Sequence, residues 1–155
     1  ALEVYYTSGK TLSSFEQKPQ FRYQYEFLVL YLTRSRETLY QRINLRVEKM
    51  FEAGLWEELV FLTEFRNPIL LESDPSMTAI GYKEFFTYAH TMGKKFSDFT
   101  KEDCQKVKML IQRNTRHYAK RQMVFFKALP YAQSIDIADI GQLKQKIRDF
   151  YASFT

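Results

Sequence analysis

The chain has 155 residues, 45% of them hydrophobic, and carries 23 basic against 18 acidic side chains. That length suits one packed unit rather than two independent domains, and the apolar share excludes wholesale disorder. No apolar run approaches the roughly 18 residues that a membrane-crossing helix needs, and the single cysteine, Cys104, excludes an internal disulfide framework or a cysteine-rich zinc site.

The first residues, Ala1-Leu2-Glu3-Val4-Tyr5, offer neither an initiator Met nor a basic leader, so the chain is expected to be part of a longer protein, with the cytoplasm as default compartment. Residues 1–8 read as the tail of a helix stopped by Gly9, and 9–20 as loop. Phe21, Tyr23, Tyr25 and Phe27 then alternate with Arg22, Gln24 and Glu26 before a continuous apolar run to Leu32. This pattern predicts a strand over 21–32 that enters the middle of a sheet and is buried on both faces. The rest of the chain supplies too few strands to satisfy such an element, so most of the sheet is expected from residues preceding Ala1.

Ser35 is placed to cap a helix whose apolar stripe is Leu39, Ile43, Val47 and Met50, ended by Gly54. Leu55, Leu59 and Leu62 mark a second helical stripe, widened by Trp56 and Val60. Two prolines make 66–76 a loop, a short helix is expected over 82–90, and Gly93 opens another connection. Thr100-Lys101-Glu102-Asp103 has the form of a capping box with Asp in the third helical position. A long helix follows to about Phe126, with the stripe Cys104, Val107, Ile111, Tyr118 and Phe125. Ile135 and Ile137 suggest a short strand, and Leu143, Ile147, Phe150 and Phe154 a closing amphipathic helix.

Charge is unevenly placed. Between Lys101 and Lys127 eight basic residues stand against Glu102 and Asp103 alone, so the net positive charge sits in one element. Such an element is either a polyanion-binding surface or a solvated helix face. Ser8-Gly9-Lys10-Thr11 imitates a phosphate loop, but the required earlier glycine is Val4 and no strand precedes it, so a helix-ending glycine is the better reading.

Arg42, Arg46 and Lys49 share a stripe and either converge on a groove, where the Arg42 fork suits phosphate, or pair with Glu37, Glu48 and Glu52 in solvent. In Ala79-Ile80-Gly81-Tyr82-Lys83-Glu84 the glycine would allow close approach of a ligand and Lys83 would neutralise phosphate, although an ordinary loop-to-helix junction is the favoured reading of the residues. Arg113, Arg116 and Lys120 form a basic stripe, and Gln122 adds an amide able to read a base edge. Tyr118, Phe125 and Phe126 could stack on a base or pack; packing is favoured for Phe125, and Phe126 fits either role. His117 reads as a surface residue and Cys104 as a core residue, and no nucleophile–base–orienter set is present.

Taken together, several stretches in this order and spacing resemble the carboxy-terminal half of the tRNA dimethylallyltransferases, the enzymes that form isopentenyl-adenosine in tRNA. They are Ala1–Val4 with Ser8–Ser13; Leu39–Ile43 with Arg46, Val47 and Met50; Gly54–Glu58; Ile80–Glu84; and Thr115–Gln122 ending in Phe125-Phe126-Lys127. The resemblance implies an α/β fold: residues 1–155 would be the mostly helical, carboxy-terminal portion of a P-loop kinase-like catalytic core, with one or two strands completing a parallel sheet. The phosphate loop, the general-base aspartate, the helical insertion domain and the Mg²⁺ site would precede residue 1.

It further implies transfer of a dimethylallyl group from dimethylallyl diphosphate to the exocyclic amine of adenosine 37, beside the tRNA anticodon. Arg42 would stand near the diphosphate. Thr78, Ala79, Ile80, Gly81, Tyr82 and Lys83, together with Lys120, Arg121, Gln122, Met123, Val124, Phe125, Phe126 and Lys127, would border the anticodon arm. The family's frequent Trp and Arg in the last motif are replaced here by Phe125 or Phe126 and by Lys127. The complete enzyme would be a monomer without a membrane partner. The alternative is a helical RNA-binding module with no chemistry of its own.

Overall fold

The computed structural model describes residues 2–11, 14 and 25–153. Helix α1 (Leu2–Ser8) ends at Gly9, whose positive φ of 67° lets its N–H donate back to the Tyr5 carbonyl at 2.8 Å. The Ser8–Thr11 stretch is therefore a helix terminus and not a phosphate loop.

Strand β1 (Leu30–Thr33) pairs in parallel with β2 (Gln133–Asp136), Leu32 opposite Ile135. Between the two strands lie α2 (Arg36–Glu52), α3 (Leu55–Val60), α4 (Lys83–Met92) and α5 (Lys101–Ala128), and α6 (Ile140–Ala152) follows β2. The expected α/β character, mostly helical with a small parallel sheet, is what the chain forms.

Local signals set most boundaries. Ser35 Oγ accepts the Thr38 N–H at the start of α2, and Gly54, at φ 93°, turns the chain from α2 into α3. Past Val60 the helix widens into a π turn over Phe61–Phe65. Ile43 and Val47 are the buried face of α2, which packs along α5. Val107 and Ile111 are the answering face of α5. Phe85 of α4 is fully buried between Phe51 and Phe99, with ring centroids 5.8 and 6.3 Å away. Leu59 and Met77 close this core.

The capping box of α5 does more than end a helix. Asp103 accepts the Thr100 N–H and hydroxyl, as expected, and also the Tyr88 hydroxyl at 2.8 Å and the Lys94 ammonium at 2.7 Å. One buried carboxylate thus joins α4, the Gly93 turn and α5. The Lys94 bond first, then the Thr100 and Tyr88 donors, hold its pKa far below the ordinary 3.8.

A carboxyl depressed on folding adds stability that is present above its unfolded value and lost as pH falls toward its folded one. The melting-temperature gap between the wild type and Asp103→Asn should therefore stay constant from pH 7 to about 5 and shrink below about 4. Thermal unfolding across that range measures it, and a gap unchanged below pH 4 would contradict it.

The strand expectation needs correction. The ladder covers only Leu30–Thr33; before it the Val29 carbonyl still accepts the Gln133 N–H, residues 25–28 lack ladder pairing, and 21–24 lie outside the described residues. Burial on both faces does not hold either, since Phe27 is 65% and Leu32 54% exposed. The cause is that β1 has β2 as its one partner among the described residues. The α5 stripe is likewise truncated: Val107 and Ile111 are buried, but Tyr118 and Phe125 are exposed. A helix of 28 residues extends about 42 Å, and its last turns run beyond the core formed with α2 and α4.

Candidate functional site

The segment leading into α4 is built around one glycine. A 3-10 turn (Pro75–Thr78) delivers the chain to Ala79, whose carbonyl accepts both the Tyr82 and Lys83 N–H groups at 3.2 Å. Gly81 closes the turn at φ 115°, a region L side chains avoid, and a Cβ there would stand 3.6 Å from Met50 Cε. Thr78, Ala79 and Lys83 are exposed, Ile80 and Tyr82 half-buried, and Gly81 buried. Burial, and then the Glu58 carboxylate, raise the Tyr82 pKa, so its hydroxyl remains neutral.

This segment meets α5. Ile80 and Lys83 form one wall of an open hollow of about 390 Å³ whose other wall is Arg113, Asn114, His117 and Arg121. The helical spacing of 113, 117 and 121 puts these side chains on one face. Four of the six lining residues carry a cation or an imidazole. None of Lys83, Arg113 and Arg121 has an ion-pair partner among the described residues, whose three pairs are His90–Glu72, Lys94–Asp103 and Lys106–Glu102. Arg121 instead lies over the Tyr118 ring, 5.9 Å from its centroid. Uncompensated like charges gathered in one hollow repel one another, an arrangement suited to a polyanion.

Helix geometry divides the 120–127 stretch. Lys120, Arg121, Gln122, Val124, Phe125 and Lys127 are exposed, and Met123 and Phe126 half-buried. Gln122, Met123 and Phe126 face a second hollow with Tyr31, Arg34 and Ile137, and Phe126 stacks on Tyr31 at 6.0 Å between centroids. The packing expected of Phe125 belongs to Phe126, because only the latter falls on the side of the helix turned to β1.

Arg42 is exposed on α2 and lines a third hollow with Arg46, Lys49 and Met50. The alternative of solvent ion pairs with Glu37, Glu48 and Glu52 is not realised among the described residues. Met50 belongs to this hollow and also abuts Gly81, so the turn at Gly81 stands between the Arg42 and Lys83 surfaces. Arg116 is placed otherwise: its guanidinium donates to Asn44 Oδ1 at 2.7 Å and lies over Tyr40, tying α5 to α2. Cys104 packs against the core, and burial followed by Glu57 raises its thiol pKa, which argues against a nucleophilic thiolate.

Sequence reasoning missed Glu84. It is 2% exposed, and its two oxygens accept the Gly81 N–H and the Asn114 amide, each at 2.8 Å. The Gly81–Glu84 bond, from an N–H to a carboxylate three residues on, has the spacing of a capping box. The Asn114 partner lies 30 positions away and left no local signal.

The family description "IPP transferase" matches residues 1–129 of the chain. The chain belongs to the IPP transferase family. Among similar proteins, the tRNA dimethylallyltransferase of Thermotoga maritima is 37% identical over 150 residues, covering 96% of this chain and 45% of that protein. That of Geobacillus kaustophilus is also 37% identical, over 96% of this chain and 43% of the relative.

Two crystal structures are alike in fold. The tRNA isopentenylpyrophosphate transferase of Staphylococcus epidermidis has a TM-score of 0.64 at 30% identity, covering all of this chain and 47% of that one. The full-length enzyme of Bacillus halodurans has 0.60 at 33%, covering 81% and 38%. This IPP transferase chain thus spans less than half the length of the relatives it matches. No helix among its described residues is long and apolar enough to cross a membrane, and no described His, Cys, Asp and Glu residues cluster to hold a metal ion.

Proposed function

We propose that this chain is the carboxy-terminal half of a tRNA dimethylallyltransferase. The complete enzyme moves a dimethylallyl group from its diphosphate to the exocyclic amine of adenosine 37, and this half holds the anticodon arm and one side of the diphosphate. The observation that carries the reading is the convergence of Lys83, Arg113 and Arg121, all without ion-pair partners among the described residues, on one hollow between the Ile80–Lys83 turn and α5. Phosphates of the arm bind there, and Lys120 and Lys127, exposed farther along α5, extend the contact. Gln122 and Phe126 stand toward the β1 side, where the target base enters.

In the transfer, the amine nitrogen bonds to the allylic carbon as the carbon–oxygen bond breaks, and the nitrogen sheds a proton. The bridging oxygen gathers charge as diphosphate departs. The Arg42 fork donates to that charge, so its contribution is largest in the transition state. The proton acceptor and Mg²⁺ are assigned to the preceding half of the enzyme. The described residues offer no cluster fit for the metal. The same preceding half supplies the strands that complete the sheet beside β1 and cover Phe27 and Leu32.

Incubating the full-length protein with labelled dimethylallyl diphosphate and unmodified tRNA tests the reading. Label should reach tRNA with adenosine at position 37 and not tRNA with guanosine there. Tight tRNA binding without any transfer would instead leave the RNA-binding module.

A further inference from the structure

Glu84 is a carboxylate almost wholly withdrawn from water, yet no cation pairs with it among the described residues. Placing such a group in the interior is costly unless its oxygens are satisfied. Both are: Oε2 accepts the Gly81 N–H and Oε1 the Asn114 amide. Its neighbours in sequence and space are the two walls of the basic hollow. Gly81 lies two residues before Lys83 on one wall, and Asn114 adjoins Arg113 on the other.

We propose that Glu84 is a positioning residue for tRNA binding: a buried two-ended clamp that fixes the Ile80–Lys83 turn against α5, so that Lys83 and Arg113 meet one stretch of phosphate backbone. The clamp rests on the tRNA-binding reading above and deepens it. Three features make it a device for geometry. The Gly81 backbone is held at φ 115°, where it has little preference of its own to keep it. Its N–H is spent on Glu84 rather than on a helix or strand ladder. The repulsion of Lys83 by Arg113 and Arg121 pushes the walls of the hollow apart, and a fixed link between the walls opposes it. Glu84 provides that link from the interior, its oxygens taken up by two neutral N–H donors, and it does not itself line the hollow where the phosphate must sit.

The test compares Glu84→Ala and Glu84→Gln in the full-length protein, with tRNA concentration varied in single-turnover transfer. Glu84→Ala severs both ends and should raise the half-saturating tRNA concentration about 10- to 100-fold, the plateau rate holding within about threefold. Glu84→Gln keeps an acceptor for Gly81, and Asn114 can turn its carbonyl to the new amide, so most of the affinity should return.

A residue that merely held the fold would lower the active fraction and hence the plateau, leaving half-saturation unmoved; that result overturns the proposal. Removing Lys83 should cost less in the Glu84→Ala background than in the wild type, because a misplaced lysine has less to lose. Strict additivity would also overturn it. Should Glu84→Ala fail to fold, Asn114→Ala cuts the α5 end alone at a half-buried position, and its paired measurement with Lys83→Ala decides in the same way. A wild-type protein with no affinity for tRNA would overturn the proposed function and the clamp together. Normal binding by the wild type and by Glu84→Ala alike would overturn the clamp alone.

Discussion

Arg42→Ala in the full-length enzyme is expected to lower the rate of transfer at saturating tRNA by about 10²–10³, the loss typical of an aligned donor to developing oxyanion charge. Arg42 is exposed on α2, directed by the buried pair Ile43 and Val47 behind it, and unpaired among the described residues. Its guanidinium is therefore free to meet diphosphate without first leaving a carboxylate. Because the leaving oxygen carries most charge when the bond is breaking, the deficit should fall on the rate more than on affinity for dimethylallyl diphosphate. Arg42→Lys should recover only part of it: an ammonium keeps the charge but not two parallel donors. Affinity for tRNA should change little, since the Gly81 turn separates this surface from the Lys83 hollow. Single-turnover transfer with dimethylallyl diphosphate varied at saturating tRNA measures the effect, and near-normal transfer would remove Arg42 from the site.

The second large effect is expected on the other surface. Arg113→Ala with Arg121→Ala takes two of the cations from the hollow. If each meets one phosphate, the slope of log K against log salt should fall by roughly 0.7–0.9 per contact removed, or about 1.5 for the pair. Affinity should drop about 10- to 100-fold at low salt and less at high salt, where counterion release contributes less. Adding Lys120→Ala should shallow the slope further. Filter binding of tRNA across a salt series reads both quantities. An unchanged dissociation constant and slope would return these arginines to an ordinary solvated helix face.

How much of this was legible beforehand depended on the range of the interactions involved. The Ser35 cap, the Thr100–Asp103 box, and the stops at Gly9, Gly54 and Gly93 are written in residues three or four apart, and each appears where the sequence placed it. The Ile43–Val47 and Val107–Ile111 stripes were equally clear, since a helix turns its buried positions into a period. Beyond Ile111 the same periodicity misled, because a stripe is buried only where another element reaches it; Phe125 continues the pattern but is 61% exposed. Strand β1 was found by composition but over-extended, as alternation reveals a willing strand and says nothing about where its partner stops.

At the site, the basic residues of α5 and the Ile80–Lys83 turn were each visible. Their meeting was not, because it is made by contacts such as Glu84–Asn114 across 30 positions. The resemblance carried in Leu39–Ile43 and Thr115–Gln122 pointed to a family before any contact was known, and the match over residues 1–129 agrees with it. It could not say that Gln122 and Arg121 turn to different sides of one helix.

The central claim is a division of labour, Arg42 serving the departing diphosphate and the Lys83–Arg113–Arg121 hollow serving the tRNA. Single-turnover transfer by Arg42→Ala and by the Arg113→Ala, Arg121→Ala double variant, measured side by side with tRNA varied, tests it most directly. The account predicts that Arg42→Ala loses its plateau rate at unchanged half-saturation, while the double variant keeps its plateau and shifts half-saturation upward. Two variants that lose plateau and half-saturation in the same proportion would contradict it.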